Sequence, residues 1–180
     1  SHLAVIDTAL ENAIAKVFDR SAPKRANLNA QRLCRENPKR RCREPEMMDG
    51  KAVVWSSGVT YHGRLPATTA RESGWYRFTI TASSLNEPED HGVWCSVRSG
   101  RCTSGAPLLS WIGAFEATPA ARERVFEAWI PKDHMLEIRP ADATIKRGRF
   151  RGGQIGTGEG APQNVPGLAM HSIVMQRIYP

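Results

Sequence analysis

Flat aromatic rings and guanidinium groups are the main chemical supply in this sequence. Trp55, Tyr61, Trp75, Trp94 and Trp111 carry ring faces that stack well on the C–H side of a sugar, and arginines and carboxylates nearby suit its hydroxyls. In the stretch Gly74-Trp-Tyr-Arg-Phe-Thr-Ile-Thr-Ala-Ser83, Tyr76, Phe78, Ile80 and Ala82 share one parity while Trp75, Arg77, Thr79 and Thr81 share the other. That is the period of a half-buried strand, so Trp75 and Arg77 share its outward face. Trp94 borders an acidic loop. Trp75, Arg77, Trp94, Trp55 and Tyr61 form the candidate ligand-binding set, weighed against the general tendency of a lone tryptophan to be core.

Glu87, Glu89 and Asp90 gather carboxylates in one short loop, a candidate for calcium. Calcium needs about six to eight oxygens, usually from more than one segment, and no Asp-x-Asp-x-Asp-Gly loop is present, so a solvated acidic loop is the competing reading. His62, His91, His134 and His171 lack metal-ligand spacing. For catalysis, neither a Gly-x-Ser-x-Gly elbow nor a phosphate loop ending in Gly-Lys-Ser/Thr occurs. Asp133 with Glu137, or Glu123 with Glu127, could only be acid–base pairs in a geometry that sequence does not display. The chain is therefore read as non-catalytic, with no cofactor beyond that calcium.

Cys34 and Cys42 are separated by seven residues, and Cys95 and Cys102 by six. Neither pair has zinc-knuckle spacing, and no Cys-x-x-Cys-His haem site exists. Four cysteines allow three disulfide connectivities, of which the sequential one, Cys34 to Cys42 and Cys95 to Cys102, costs least in loop closure. The second bridge would close a turn around Ser99-Gly100. Disulfides imply an oxidising compartment, periplasm or cell exterior.

The formal charge is +7, concentrated at Arg32, Arg35, Lys39, Arg40, Arg41 and Arg43 and again at Lys146, Arg147, Arg149 and Arg151. Neither cluster lies in a nucleic-acid motif, so solvated basic loops or attraction of an acidic polymer are the readings in play, without a nucleic-acid partner. Apolar runs fall far short of the ~20 residues of a membrane span.

Several elements must position these residues. Leu3, Ile6, Leu10, Ile14 and Val17 form one stripe of an amphipathic helix that must bury against the sheet or a neighbouring domain. Residues 21–49 read as a basic linker loop, and residues 50–180 as a β domain. Its strands are expected at 51–61, 74–83, 93–97, 109–115, 124–130, 135–139 and 169–178, with 124–130 central because both of its faces are partly apolar. A Gly-rich stretch, 148–167, interrupts them. Many short strands with turn chemistry between them predict a mainly β fold, an antiparallel sandwich or jelly roll, preceded by one N-terminal helix of residues 1–20.

The order of the Gly74–Ser83 strand, a hairpin, Phe115-Glu-Ala, Val125 to Ile130, Leu136-Glu-Ile-Arg-Pro140 and Ile173-Val-Met is similar to galactose-binding-like β-sandwiches, the architecture of many carbohydrate-binding modules. It resembles more closely the module inserted in large planctomycete cytochrome-type proteins of unknown function. There a helix like Leu3 to Val17 ends the preceding domain and a Gly-x-Tyr-x-x-x-x-x-Ala strand follows, as at Gly74, Tyr76 and Ala82. The resemblance covers residues 50–180 and implies carbohydrate binding, while the +7 charge suits an acidic polysaccharide and the helix at Leu3 to Val17 with the basic clusters suits docking to neighbouring domains of a parent protein. The basic Cys34–Cys42 loop and the Gly-rich stretch have no counterpart in that pattern.

Overall fold

The structure is a computed structural model that describes residues 4–10, 21–28, 33–34, 37–41, 45–59, 62–101, 108–150 and 158–180. Its strands are β1 (Lys24–Arg25), β2 (Leu33–Cys34), β3 (Asn37–Arg41), β4 (Glu46–Met48), β5 (Lys51–Trp55), β6 (Arg64–Leu65), β7 (Gly74–Leu85), β8 (Val93–Arg101), β9 (Ser110–Ala117), β10 (Arg122–Ile130), β11 (His134–Pro140) and β12 (Gly167–Tyr179). One sheet runs β10-β7-β12-β5-β4 with β1 on β12, and the other runs β6-β11-β8-β9. The ladders of both sheets are antiparallel. Their inner faces enclose one core containing Phe78, Ile80 and Leu168 from the first sheet and Val97, Leu136 and Ile138 from the second. The protein is a mainly β antiparallel sandwich preceded by a helix at residues 4–10.

Strand β7 follows the expected alternation. Tyr76, Phe78, Ile80 and Ala82 are buried, while Trp75 and Arg77 are exposed. On one side it pairs with β12, the tail strand, and on the other with β10. An aromatic ladder then crosses between the layers. Phe78 stacks on Phe126 of β10 at 5.7 Å, and Phe126 meets Phe115 of β9 at 6.2 Å. Gly113 makes room for it, since a Cβ there would come within 2.8 Å of the Phe126 ring.

Several expectations are corrected. Strand β10 is an edge strand, and its outward apolar residues Val125 and Trp129 are exposed rather than sandwiched. The presumed linker at 21–49 contributes β1 and β4 to the first sheet and a separate β2–β3 hairpin. In the helix, Ile6 and Leu10 are exposed, so that part of the stripe is not buried against the sheet; Leu3, Ile14 and Val17 lie outside the described residues.

The proposed Cys95–Cys102 bridge is also overturned. Cys95 is a free, buried thiol, and β8 runs straight through Ser99-Gly100 to Arg101 instead of turning. Six extended residues span roughly 20 Å, whereas a disulfide requires Cα atoms about 4.4–6.8 Å apart. Burial pushes the Cys95 thiol far above its ordinary range. Cys95 should therefore resist an aromatic disulfide reagent in the native protein and react only on unfolding; rapid native labelling at that position, read by peptide mass, would contradict this placement. Cys42 and Cys102 lie outside the described residues, while β2 and β3 pair Leu33 with Arg41, the immediate chain neighbours of Cys34 and Cys42.

Candidate functional site

The outward faces of the two sheets carry different chemistry. On the first sheet, Trp75 stands directly opposite Trp129, with ring centroids 6.3 Å apart at 74°, an edge-to-face pair. Beside it, Arg77 Nε donates to Glu127 Oε1 at 2.8 Å, across the same two strands. Tyr179 of β12 is paired in register with Trp75, so an exposed aromatic and charged strip crosses β10, β7 and β12. The expected Trp75 and Arg77 thus sit together. The Arg77–Glu127 ion pair is exposed to solvent and is worth little to stability.

The second sheet forms a cleft. On β8, Val93, Cys95 and Val97 face the core, which leaves Trp94, Ser96 and Arg98 on the other side. On β11, Leu136 and Ile138 face inward, leaving Glu137 and Arg139 outward. A β-bulge in β9 then changes the register. Val97 pairs with Gly113 but Arg98 pairs with Trp111, so Ile112 is the extra residue. Ile112 packs against the core, and Trp111 swings out opposite Arg98 with 64% exposure, the largest among the described tryptophans.

Two chain segments wall this floor. Arg139 donates from Nη1 to the Val59 carbonyl at 3.0 Å and from Nη2 to the Ser57 carbonyl at 2.9 Å, fixing residues 57–59 over the sheet. Gly148 N donates to the Ser56 carbonyl at 2.8 Å, which ties the second wall, residues 140–147, to the first. Asp142 closes an Asx turn by accepting from the Thr144 amide at 2.8 Å and its hydroxyl at 2.6 Å. The half-open cleft has a volume of about 260 Å³ and is lined by Ser57, Ser96, Arg98, Trp111, Arg139 and Arg147 among others.

Beneath it lies an ion pair whose acid is buried. Glu137 is fully buried and accepts from Arg98 through Nε at 3.1 Å and through Nη2. Arg64 of β6, itself buried, is paired in register with Glu137. Burial chiefly holds the Arg139 guanidinium below its ordinary range, with Glu137 opposing and the positive charges of Arg98 and Arg147 adding to the depression. At the rim, the hydrogen bonds from Thr144 hold the Asp142 carboxyl below the usual carboxylate range, and the charge of His91 adds to this.

The histidines differ in sign. The Gly92 carbonyl, 2.6 Å from Nδ1, holds His91 above the ordinary imidazole range, with Asp90, Asp142 and Glu116 assisting. Burial lowers His134 and His171, aided by the charges of Arg101 and Lys51 respectively. For a lowered imidazole the unfolded chain binds more protons, so its contribution is complete above about 6.5 and is lost as pH falls through the folded value. For His91 the contribution is present below about 6.5 and lost as pH rises through its raised value. Proton NMR titration should place His134 and His171 below free imidazole and His91 above it; the reverse order would refute these environments.

The other expected site residues are placed as follows. Trp94 is exposed on the same outward row of β8 as Arg98, opposite Glu116. Trp55 is only 3% exposed and packs with Val53, Val165 and Ala169, its Nε1 donating to Glu46 at 3.3 Å, so it is a core residue rather than a platform. Gly160 leaves no room for a side chain beside that indole. Tyr61 lies outside the described residues. Glu87 accepts from the Ser84 hydroxyl at 3.0 Å, while Glu89 and Asp90 are exposed. Among the described residues no three acidic, histidine or cysteine side chains gather as a metal site. No helix among the described residues is long and apolar enough to cross a membrane.

The chain stands apart in comparison. No protein-family model matches it, and neither a curated protein nor a solved structure matches it significantly.

Proposed function

We propose that the chain is a non-catalytic β-sandwich module that binds carbohydrate through its aromatic and arginine-lined cleft, within a larger periplasmic protein. One observation carries this reading: the β9 bulge presents Trp111, 64% exposed, opposite Arg98 at a walled cleft that also holds serine hydroxyls. A ring face for the sugar's C–H side, with fixed donors beside it for its hydroxyls, is the combination that saccharide recognition requires. The resemblance of residues 50–180 to carbohydrate-binding modules points the same way.

A glycan-array screen of the folded chain, with and without calcium, tests the reading. Binding that Trp111→Ala abolishes and Trp75→Ala preserves assigns the sugar to the cleft. The opposite pattern moves it to the Trp75 strip, and no binding by a folded sample defeats the carbohydrate reading. Calcium dependence would restore a role to Glu87, Glu89 and Asp90.

A second reading, a docking module of a cytochrome-associated redox protein, is favoured by a separate observation. Trp75, Val125, Trp129 and Tyr179 are exposed along one sheet, and Val5, Ile6 and Leu10 are exposed on the helix. Exposed apolar surface of this kind suits a protein neighbour.

A further inference from the structure

We infer that the cleft selects an anionic saccharide unit, one bearing a carboxylate or sulfate whose oxygens meet Arg98 and Arg147 while Trp111 stacks on its ring; this rests on the carbohydrate reading above. The charge inventory supports it. Three arginines line the cleft against one acid, Asp142. Asp142 keeps its charge while bonded to Thr144, and Glu137 beneath the floor offsets Arg98, so three guanidinium groups against two carboxylates leave one net positive charge at the cleft. Among the described residues Arg139 and Arg147 form no ion pair with a carboxylate. Arg139 spends two donors on backbone carbonyls, which hold it in place without neutralising it.

Assembling like charges around a concavity raises the energy of the empty site, and an oxyanion placed among them relieves it. Guanidinium groups suit that oxyanion because their planar donors match carboxylate and sulfate oxygens. Ser57 and Ser96 add small polar groups on the floor and wall. A volume of about 260 Å³ lies just below the roughly 300–1,000 Å³ typical of sites for drug-sized ligands, so the cleft fits a single sugar unit rather than a length of chain.

The test is calorimetric titration of the full chain with matched neutral, uronate-bearing and sulfated disaccharides, at low and physiological ionic strength. At least one acidic ligand should bind roughly tenfold or more tighter than its neutral counterpart, with affinity falling as salt rises. The two acidic arms tell carboxylate from sulfate. Arg147→Ala, an exposed change outside the core, should bring the acidic-to-neutral ratio toward one, and Trp111→Ala should weaken both classes. Equal binding of neutral and acidic ligands would overturn the anionic assignment while leaving carbohydrate binding intact. Failure of every ligand to bind a folded chain would overturn both, and acidic binding untouched by Arg147→Ala and Trp111→Ala would remove it from this cleft.

Discussion

Glu137→Ala is expected to destabilise the protein by about 3 kcal/mol, the low end of the cost of removing one partner of a buried ion pair, because the Arg98 left behind is one-third exposed. Glu137 is the one buried acidic residue among the described residues, and it sits beside two arginines, Arg98 through direct hydrogen bonds and Arg64 through cross-strand register. Deleting the carboxylate strips Arg98 of its counter-charge. Glu137→Gln keeps the shape and can still accept one hydrogen bond, so its cost should be smaller, though the charge is lost. Urea unfolding curves measure both. A midpoint for Glu137→Ala within experimental error of the parent, at unchanged slope, would show that the pair contributes nothing to stability.

Phe78→Ala should cost at least as much, about 3–5 kcal/mol, for a different reason. Phe78 is fully buried at the centre of β7, and its stacked contact with Phe126 begins the ring ladder that reaches Phe115 in the other layer. Removal forfeits the buried ring area and leaves a cavity that β7, held between β10 and β12, cannot close. Phe126→Ala, at a half-buried position on the edge strand β10, should cost less because water and the free edge can adjust. Equal losses from the two variants would mean that the edge is as rigid as the centre.

The sandwich and its main strands were legible because period-two alternation is unambiguous where one face is buried, as at Tyr76, Phe78 and Ile80 against Trp75, Arg77 and Thr79. The same pattern would have exposed Arg98 and Arg139. Val93, Cys95 and Val97 alternate with Trp94, Ser96 and Arg98, and Leu136 and Ile138 alternate with Glu137 and Arg139. Trp111 was hidden for a physical reason. Simple alternation puts it on the same side as Gly113 and Phe115, facing the core, and only the extra residue at Ile112 reverses it. Bulges are set by pairing with a neighbouring strand, which local sequence does not encode.

Burial misled at two other places. Trp55 lies in a β-rich run where either face was open to it, and its burial comes from the distant Val165 and Gly160. Strand β10 has apolar residues on both faces, which normally mark a centre; here the outward ones form the Trp129 strip. The Cys95–Cys102 spacing suggested a turn because Ser99-Gly100 lay between. In the fold Gly100 instead allows the close approach of Leu108 and Leu109, so the strand never bends back.

The position of β12 also bears on how the fold is reached. It is the last strand in the sequence, yet it lies between β7 and β5, pairs with both and carries β1 along part of its length. A chain made from its N-terminus can assemble the β8–β9 hairpin early, but the larger sheet must wait, its two halves presenting unpaired edges, until residues 167–179 arrive. Closure over such sequence separations is slow relative to local contacts. Those waiting edges are the surfaces on which a nascent chain would most need a chaperone, and on which two incomplete copies could trade strands.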